Sequence, residues 1–278
     1  MPERLASIPL STYPEPVPDA AILASLDLAR VLGCRAEVTA YAVQIPPVAA
    51  PLGNFLVNVE AMARTAEERS LAECDRIAAL VATRGAGTDA IGFSRRQAQP
   101  GVMTELATRA ARYADLAVVA WAPDMLAAQD MAQALIFGAG VPVILMPPTA
   151  SPDRLDHIAV AWDESRVAAR ALGDALRLLA PGGRVSVLTV RDEKALSGAD
   201  IADRLAATLG ARGYSAAPVS LTLDGRSIGV ALQEAALAAG AQLMAMGGFG
   251  HSRLRDFILG GATTDILAEL RLPALLAH

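Results

Sequence analysis

At 278 residues the chain is long enough for two domains of ordinary size, since single domains cluster near about 100–150 residues. Hydrophobic residues make up 53%, charged residues 19% and aromatics only 4%, so the core must be built from Ala, Leu, Val and Ile, which fits an alanine-rich α/β protein. A net charge of -5 and a pI near 5.3 exclude the clustered basic surface of a protein that binds nucleic acid or an anionic membrane.

The first sixteen residues, MPERLASIPLSTYPEP, combine an acidic side chain with prolines where a secretory signal needs a basic start and an unbroken apolar stretch. No later segment approaches the roughly 20 apolar residues of a membrane span. Both observations point to a cytoplasmic protein. The two cysteines, Cys34 and Cys74, have neither ligand-like spacing nor nearby histidines, and read as small buried or half-buried thiols rather than a disulfide or zinc site.

In chain order, the spacing predicts a helix over Asp19–Leu32, a strand over Ala36–Val43, a long helix over Leu56–Thr83 and a strand over Thr88–Phe93. A helix over Val102–Arg112, a strand over Leu116–Ala120, a helix over Ala127–Phe137 and a strand over Val141–Met146 follow. After Pro147-Pro148 and Ser151-Pro152, the plan repeats. Leu155–Trp162, LDHIAVAW, echoes Leu5–Thr12, LASIPLST.

The second half reads as a strand at Ile158–Ala161, a helix at Arg166–Leu179 stopped by Pro181-Gly182-Gly183, and a strand at Arg184–Val190. A helix carrying Ile201, Leu205 and Leu209 comes next, then a strand at Ala216–Leu223, a helix at Ser227–Ala239 and a buried strand at Gln242–Met246. A helix at Thr263–Leu270 and a strand at Pro273–His278 close the chain. Alternating strands and helices imply two tandem five-stranded parallel sheets covered on both faces, each with its ligand crevice outside the carboxyl ends of the strands. The domains are expected at 1–150 and 151–278.

One stretch organises the second half: Met244–Thr264, MAMGGFGHSRLRDFILGGATT. Gly247, Gly248 and Gly250 strip the β-carbons from a loop that follows Met246, which lets backbone N–H groups approach an anion. Gly260, Gly261, Ala262 and Thr263 then open a helix, whose free N–H groups also favour negative charge. Between the two patches lie His251, Ser252, Arg253 and Arg255, which read either as phosphate contacts or as the solvated face of a helical turn.

Glycine, two residues, glycine, nine residues, glycine resembles the nucleotide-binding signature of the universal stress protein family. The resemblance is strongest over Arg154–His278 and architectural before that, and it implies a tandem two-domain member. Gly261 stands where the ATP-binding members carry Ser or Thr, and Thr263 matches a further threonine of the pattern. The resemblance implies that Asp163 contacts the nucleoside, that Ala161 and Trp162 line the adenine pocket, and that the backbone of Val190 reads the adenine edge. Asp163 equally suits the helix N-cap, as does Ser165. Trp162 either stacks on the base or fills the pocket. The cofactor implied is ATP or another adenine nucleotide, with or without Mg. The family also pairs domains through their last strands, so the resemblance implies an internal pseudo-dimer that can associate into a homodimer.

The first half carries Ala120-Trp121-Ala122-Pro123 where the second has Gly247-Gly248-Phe249-Gly250. Aligning Asp115 with Gln242, Val43 with Val190 and Pro142 with Pro273, and Ile8 with Ile158, sets Tyr13 opposite Asp163. This half therefore reads as a degenerate domain that supports the fold and binds no nucleotide. No lysine follows the glycine loop as a P-loop requires, the glycines follow a fourth strand rather than the first strand of a dinucleotide fold, and no G-x-S-x-G elbow is present. Three readings remain: a nucleotide-binding stress or signalling module, a non-binding interaction protein of the same fold, and a slow ATPase.

Overall fold

The computed structural model describes residues 3–47, 58–87, 89–122, 125–191, 200–248, 266 and 268–278. The chain divides into Met1–Gly140 and Val141–His278. In the first unit, β1 (Arg4–Ser11), β2 (Cys34–Val43), β3 (Ile91–Ala98) and β4 (Leu116–Ala120) alternate with α1 (Asp19–Val31), α2 (Val59–Arg84), α3 (Met103–Ala111) and α4 (Leu126–Gly138). The four strands are parallel, in the order β3-β2-β1-β4.

The second unit begins with β5 (Val143–Met146) and continues through β6 (His157–Ala161), α5 (Arg166–Leu178), β7 (Arg184–Val190), α6 (Ile201–Ala211), β8 (Ser215–Leu221), α7 (Ile228–Ala238), β9 (Leu243–Gly247) and β10 (Ala274–Ala277). Its sheet runs β8-β7-β6-β9-β10, all parallel, with β5 added antiparallel to β10 through Ala274↔Leu145 and Leu276↔Val143. The expected α/β class with parallel sheets is the one observed. The fifth strand of the first half, β5, lies in the second unit and closes its open edge, which removes a row of unpaired backbone groups.

Local chemistry explains the helix starts. Ser165 begins α5 by accepting the Ala168 N–H at 3.2 Å, Ser227 begins α7 on Val230 N–H, and Asn58 begins α2 on Ala61 N–H at 3.0 Å. In α5 the buried residues Val167, Ala168, Ala171, Leu172, Ala175 and Leu176 recur at helical spacing, so one stripe faces the sheet.

β3 departs from expectation. It runs over Ile91–Ala98 rather than Thr88–Phe93, and pairs with β2 along its whole length from Ala36↔Ile91 to Val43↔Ala98. Its Ser94-Arg95-Arg96-Gln97 stretch is exposed. An edge strand with a solvated face carries no apolar run, so apolarity located only its first residues. Residues 56–57 of the expected long helix lie outside the described residues. Of the expected Thr263–Leu270 helix, only Ile266, buried and helical, and residues 268–270 are described.

The two units share a device at the amino ends of their strands. Asp115 Oδ2 accepts the Leu5 N–H at 2.7 Å, and Gln242 Oε1 accepts the His157 N–H at 2.8 Å. The same residues donate their own N–H groups to Leu5 O and His157 O, at 2.9 Å each. Asp115 and Gln242 are therefore equivalent, as aligned. The strands beside them are shifted, however: β4 pairs Leu116 with Ala6, and β9 pairs Leu243 with Ile158. Ala6, not Ile8, is thus the counterpart of Ile158, and Ser11 rather than Tyr13 falls opposite Asp163. A slide of two residues keeps every side chain on its face, so the hydrophobic pattern does not register it.

Candidate functional site

In the second unit the strand order reverses between β6 and β9, because β6 leads outward to β7 and β8 while β9 leads the other way to β10. Such a switch point opens a crevice at the carboxyl edge. Ala161 ends β6 with Trp162 and Asp163 directly after it, Val190 ends β7, and Met246 and Gly247 end β9 with Gly248 directly after it. These seven predicted residues are brought to one edge. Gly250, His251, Arg253, Gly260, Gly261, Ala262 and Thr263 lie outside the described residues.

The turn after β6 is held by its backbone. Trp162 N–H donates to Leu188 O at 2.8 Å, and the Thr189 hydroxyl donates to Trp162 O at 3.2 Å. Both peptide groups of Trp162 are thus tied to β7, which sets where its indole can lie. Trp162 is half-buried. Asp163 is exposed, and its Oδ1 accepts the Ser165 N–H at 2.9 Å. The two expectations for this turn divide between neighbours: Ser165 caps α5 while Asp163 braces Ser165. An ionised carboxylate has about four acceptor sites, so one N–H leaves it able to accept from a ligand hydroxyl or amine. Between them Glu164 adopts φ 61°, a left-handed conformation, and its carboxylate lies 3.4 Å from Arg204.

Gly247 has a packing reason for being glycine. A β-carbon there would come within 2.9 Å of Ala168 N and of Val167 C, so the first turn of α5 lies directly on the end of β9. Gly248 N–H donates to Ala277 O at 2.8 Å and is engaged within the sheet. The backbone amide of Gly248 is therefore committed to β10. An anion cradle on this loop would draw on residues further along it.

Two side chains that sequence reasoning missed position the edge. Gln233, wholly buried on α7, donates to Glu269 O and accepts Arg271 N–H, each at 2.8 Å, fixing the lead into β10. His157, the first residue of β6, is buried, with Nε2 2.9 Å from Ser186 Oγ. Burial, then the Arg184 charge, lowers its pKa from 6.5. Strand ends look polar in sequence, and only the neighbouring strand β7 reveals that this one is covered.

The first unit closes the corresponding edge. Ser70 of α2, wholly buried, accepts Val43 N–H at 2.8 Å and shares a 2.6 Å hydrogen bond with Thr12, whose hydroxyl also lies 2.9 Å from Tyr41 O. One turn earlier on α2, Glu67 accepts Ile45 N–H at 2.7 Å. Trp121, which follows β4, has no exposed surface. The cavity left beside Leu10, Ser11, Ala120 and Met125 is about 10 Å³, room for about one water. Cys74 packs against Thr12, and burial raises the pKa of both Cys34 and Cys74; both thiols are buried, as expected. Among the described residues no group of three or more His, Cys, Asp or Glu side chains is arranged to hold a metal ion, and no helix is long and apolar enough to cross a membrane.

A doubly wound α/β unit with its crevice at a switch point defines the class. Residues 154–278 match the universal stress protein family. The structure of the chain is similar to that of a universal stress protein from Archaeoglobus fulgidus DSM 4304, at 15% identity over 99% of this chain and 96% of that one, with a TM-score of 0.65. A Pseudomonas aeruginosa UCBPP-PA14 protein assigned to the same family shares 13% identity over 99% and 93% of the two chains, with a TM-score of 0.53. A functionally unknown protein from P. aeruginosa PAO1 shares 13% over 98% and 92%, with a TM-score of 0.50. At these identities the likeness is one of fold. No curated protein matches the chain.

Proposed function

We propose that this is a stress-response protein whose second unit binds an adenine nucleotide, ATP, ADP or AMP, with or without magnesium, and couples occupancy to the affinity for a partner. One observation carries the reading: Asp163, just past β6, and Gly247, the last residue of β9, stand at the ends of the two strands that flank the switch point, the place where open parallel sheets take ligands. The match of residues 154–278 to the universal stress protein family supports the same reading. Asp163 would accept from the ribose or the adenine amine, the Trp162 indole would lie against the base, and Ala161 and the Val190 backbone would border it. Gly250, Gly260, Gly261, Ala262 and Thr263 would offer amides, and His251 and Arg253 polar side chains, to the phosphates. Coupling would require the nucleotide to bind one conformation of the protein more tightly than another.

Calorimetric titration with ATP, ADP and AMP, with and without magnesium, tests this. At least one nucleotide is expected to bind, and Asp163→Ala should weaken it about ten-fold, the worth of a hydrogen bond to a charged group. Because Trp121 and Trp162 are the two tryptophans, Trp121→Phe leaves Trp162 as the reporter, and its emission should change on binding. Absence of heat with all three at millimolar concentration would reject nucleotide binding and favour a plain interaction protein.

A further inference from the structure

The first unit has a groove away from the carboxyl ends of its strands. In the second unit α7 packs on β7, which is buried along nearly its whole length; in the first, α3 packs chiefly against β1 and α4. The outward face of β2 and β3 is left solvated, so β2 alternates buried Ala36, Val38 and Ala40 with Arg35, Glu37 and Thr39. A parallel sheet normally buries both faces. Here an open groove of about 420 Å³ remains over Ser7, Glu37, Thr39, Ser94 and Arg96, walled by α3 and by Tyr113, a volume in the usual range for small-ligand sites.

The charges in this groove are unequal. Glu37 is paired with Arg35 at 2.8 Å, and Arg109 of α3 with Glu105 at 2.6 Å. Thr39 and Ser94 share a 3.0 Å hydrogen bond between facing strands. The Arg96 guanidinium, exposed at the groove, has no hydrogen-bond or ion-pair partner among the described residues. Its cross-strand neighbour is Tyr41, whose buried hydroxyl is also without a partner. On the opposite wall the Tyr113 ring is 87% exposed beside Leu106 and Ala110. One uncompensated cation, a pair of hydroxyls and an apolar wall make a site for one negative charge on a flat or aliphatic body.

We propose that this groove binds a small organic monoanion of the carboxylate class, with Arg96 holding the carboxylate in a two-pronged contact, the Thr39–Ser94 pair donating its one remaining hydroxyl hydrogen to it, and Tyr113 covering the apolar part. A polyphosphate does not suit it, because Glu37 borders the site and one free cation cannot balance several charges.

Benzoate titrated into the full chain is the test, with amide chemical shifts and calorimetry as readouts. Saturable binding is expected, with shifts centred on Thr39, Ser94 and Arg96, weakened at least ten-fold by Arg96→Gln and several-fold by Tyr113→Ala. Arg96→Lys should fall between wild type and Arg96→Gln, and benzyl alcohol should not bind. No saturation by tens of millimolar benzoate, equal binding to Arg96→Gln, or equal shifts with benzyl alcohol would each overturn the proposal. Arg96 and Tyr113 are exposed, so neither substitution removes core packing.

Discussion

The carboxyl edges of the two units start from the same strand-turn-helix plan and end differently. In the first, α2 lays Ser70 and Glu67 across the end of β2, taking up Val43 N–H and Ile45 N–H, while the Trp121 side chain is wholly buried after β4. In the second, β6 ends in a braced turn that leaves Asp163 exposed and Trp162 half-buried. Backbone amides at a strand end must find acceptors. A unit that supplies them from its own helix seals its edge, and one that ties its turn back to the neighbouring strand leaves side chains facing outward.

The largest expected effect tests whether the second edge is as tightly built as the first. Gly247→Ala drives a β-carbon into the backbone of α5, which cannot step aside without losing its cap, so a loss near the upper end of the range for overpacking, about 3 kcal/mol, is expected. Urea unfolding followed by Trp162 emission in a Trp121→Phe background measures it; an unchanged midpoint would mean that α5 is free to move. It also follows that loss of nucleotide binding in Gly247→Ala would report packing, whereas Asp163→Ala isolates recognition.

A smaller effect sharpens the other side. Ser70→Ala leaves buried Val43 N–H without its acceptor and removes one of the two hydrogen bonds of the Thr12 hydroxyl, and about 2 kcal/mol should be lost from the first unit. Hydrogen exchange should accelerate at Val43 and neighbouring β2 amides while β7 is unaffected. Equal acceleration in both units would show that their stabilities are not separable.

The smallest effect is one of pH. His157 is held neutral by burial, so its folded-state pKa lies below 6.5. The unfolded chain then binds the proton more readily, so this contribution is whole above about pH 6.5 and declines as pH falls from there toward the folded value. Asp156, whose pKa is lowered chiefly by its Gln242 hydrogen bond, departs only below about 3.8, outside that window. The urea midpoint of the second unit should therefore drop between pH 7.5 and pH 5.5, and His157→Gln should flatten the slope.

Much of this was legible in the chain. The alternation of periods placed most strands and helices within a residue or two, and the β4 and β7 boundaries, Leu116–Ala120 and Arg184–Val190, match outright. The glycine spacing led to the family that residues 154–278 match. The first half's different edge was signalled by Trp121, although the means of closure was not: Ser70 and Glu67 sit in a polar helix where nothing distinguishes them from a solvated face. β3 was misplaced because an edge strand with one wet face has no apolar run, and the same wet face is what opens the groove at Arg96.

By itself the sequence determined element order, the parity of each strand and which half keeps the glycines, because these depend on periodicity and on residue size along a single chain. Tertiary structure alone decided the two-residue slide that puts Ser11 opposite Asp163, the contact that makes Gly247 obligatory under α5, and the burial of His157. A strand slid by two residues presents the same faces, and a glycine or histidine reads identically whether or not another element lies on top of it. Those facts reside in distances between segments far apart in the chain, which periodicity does not encode.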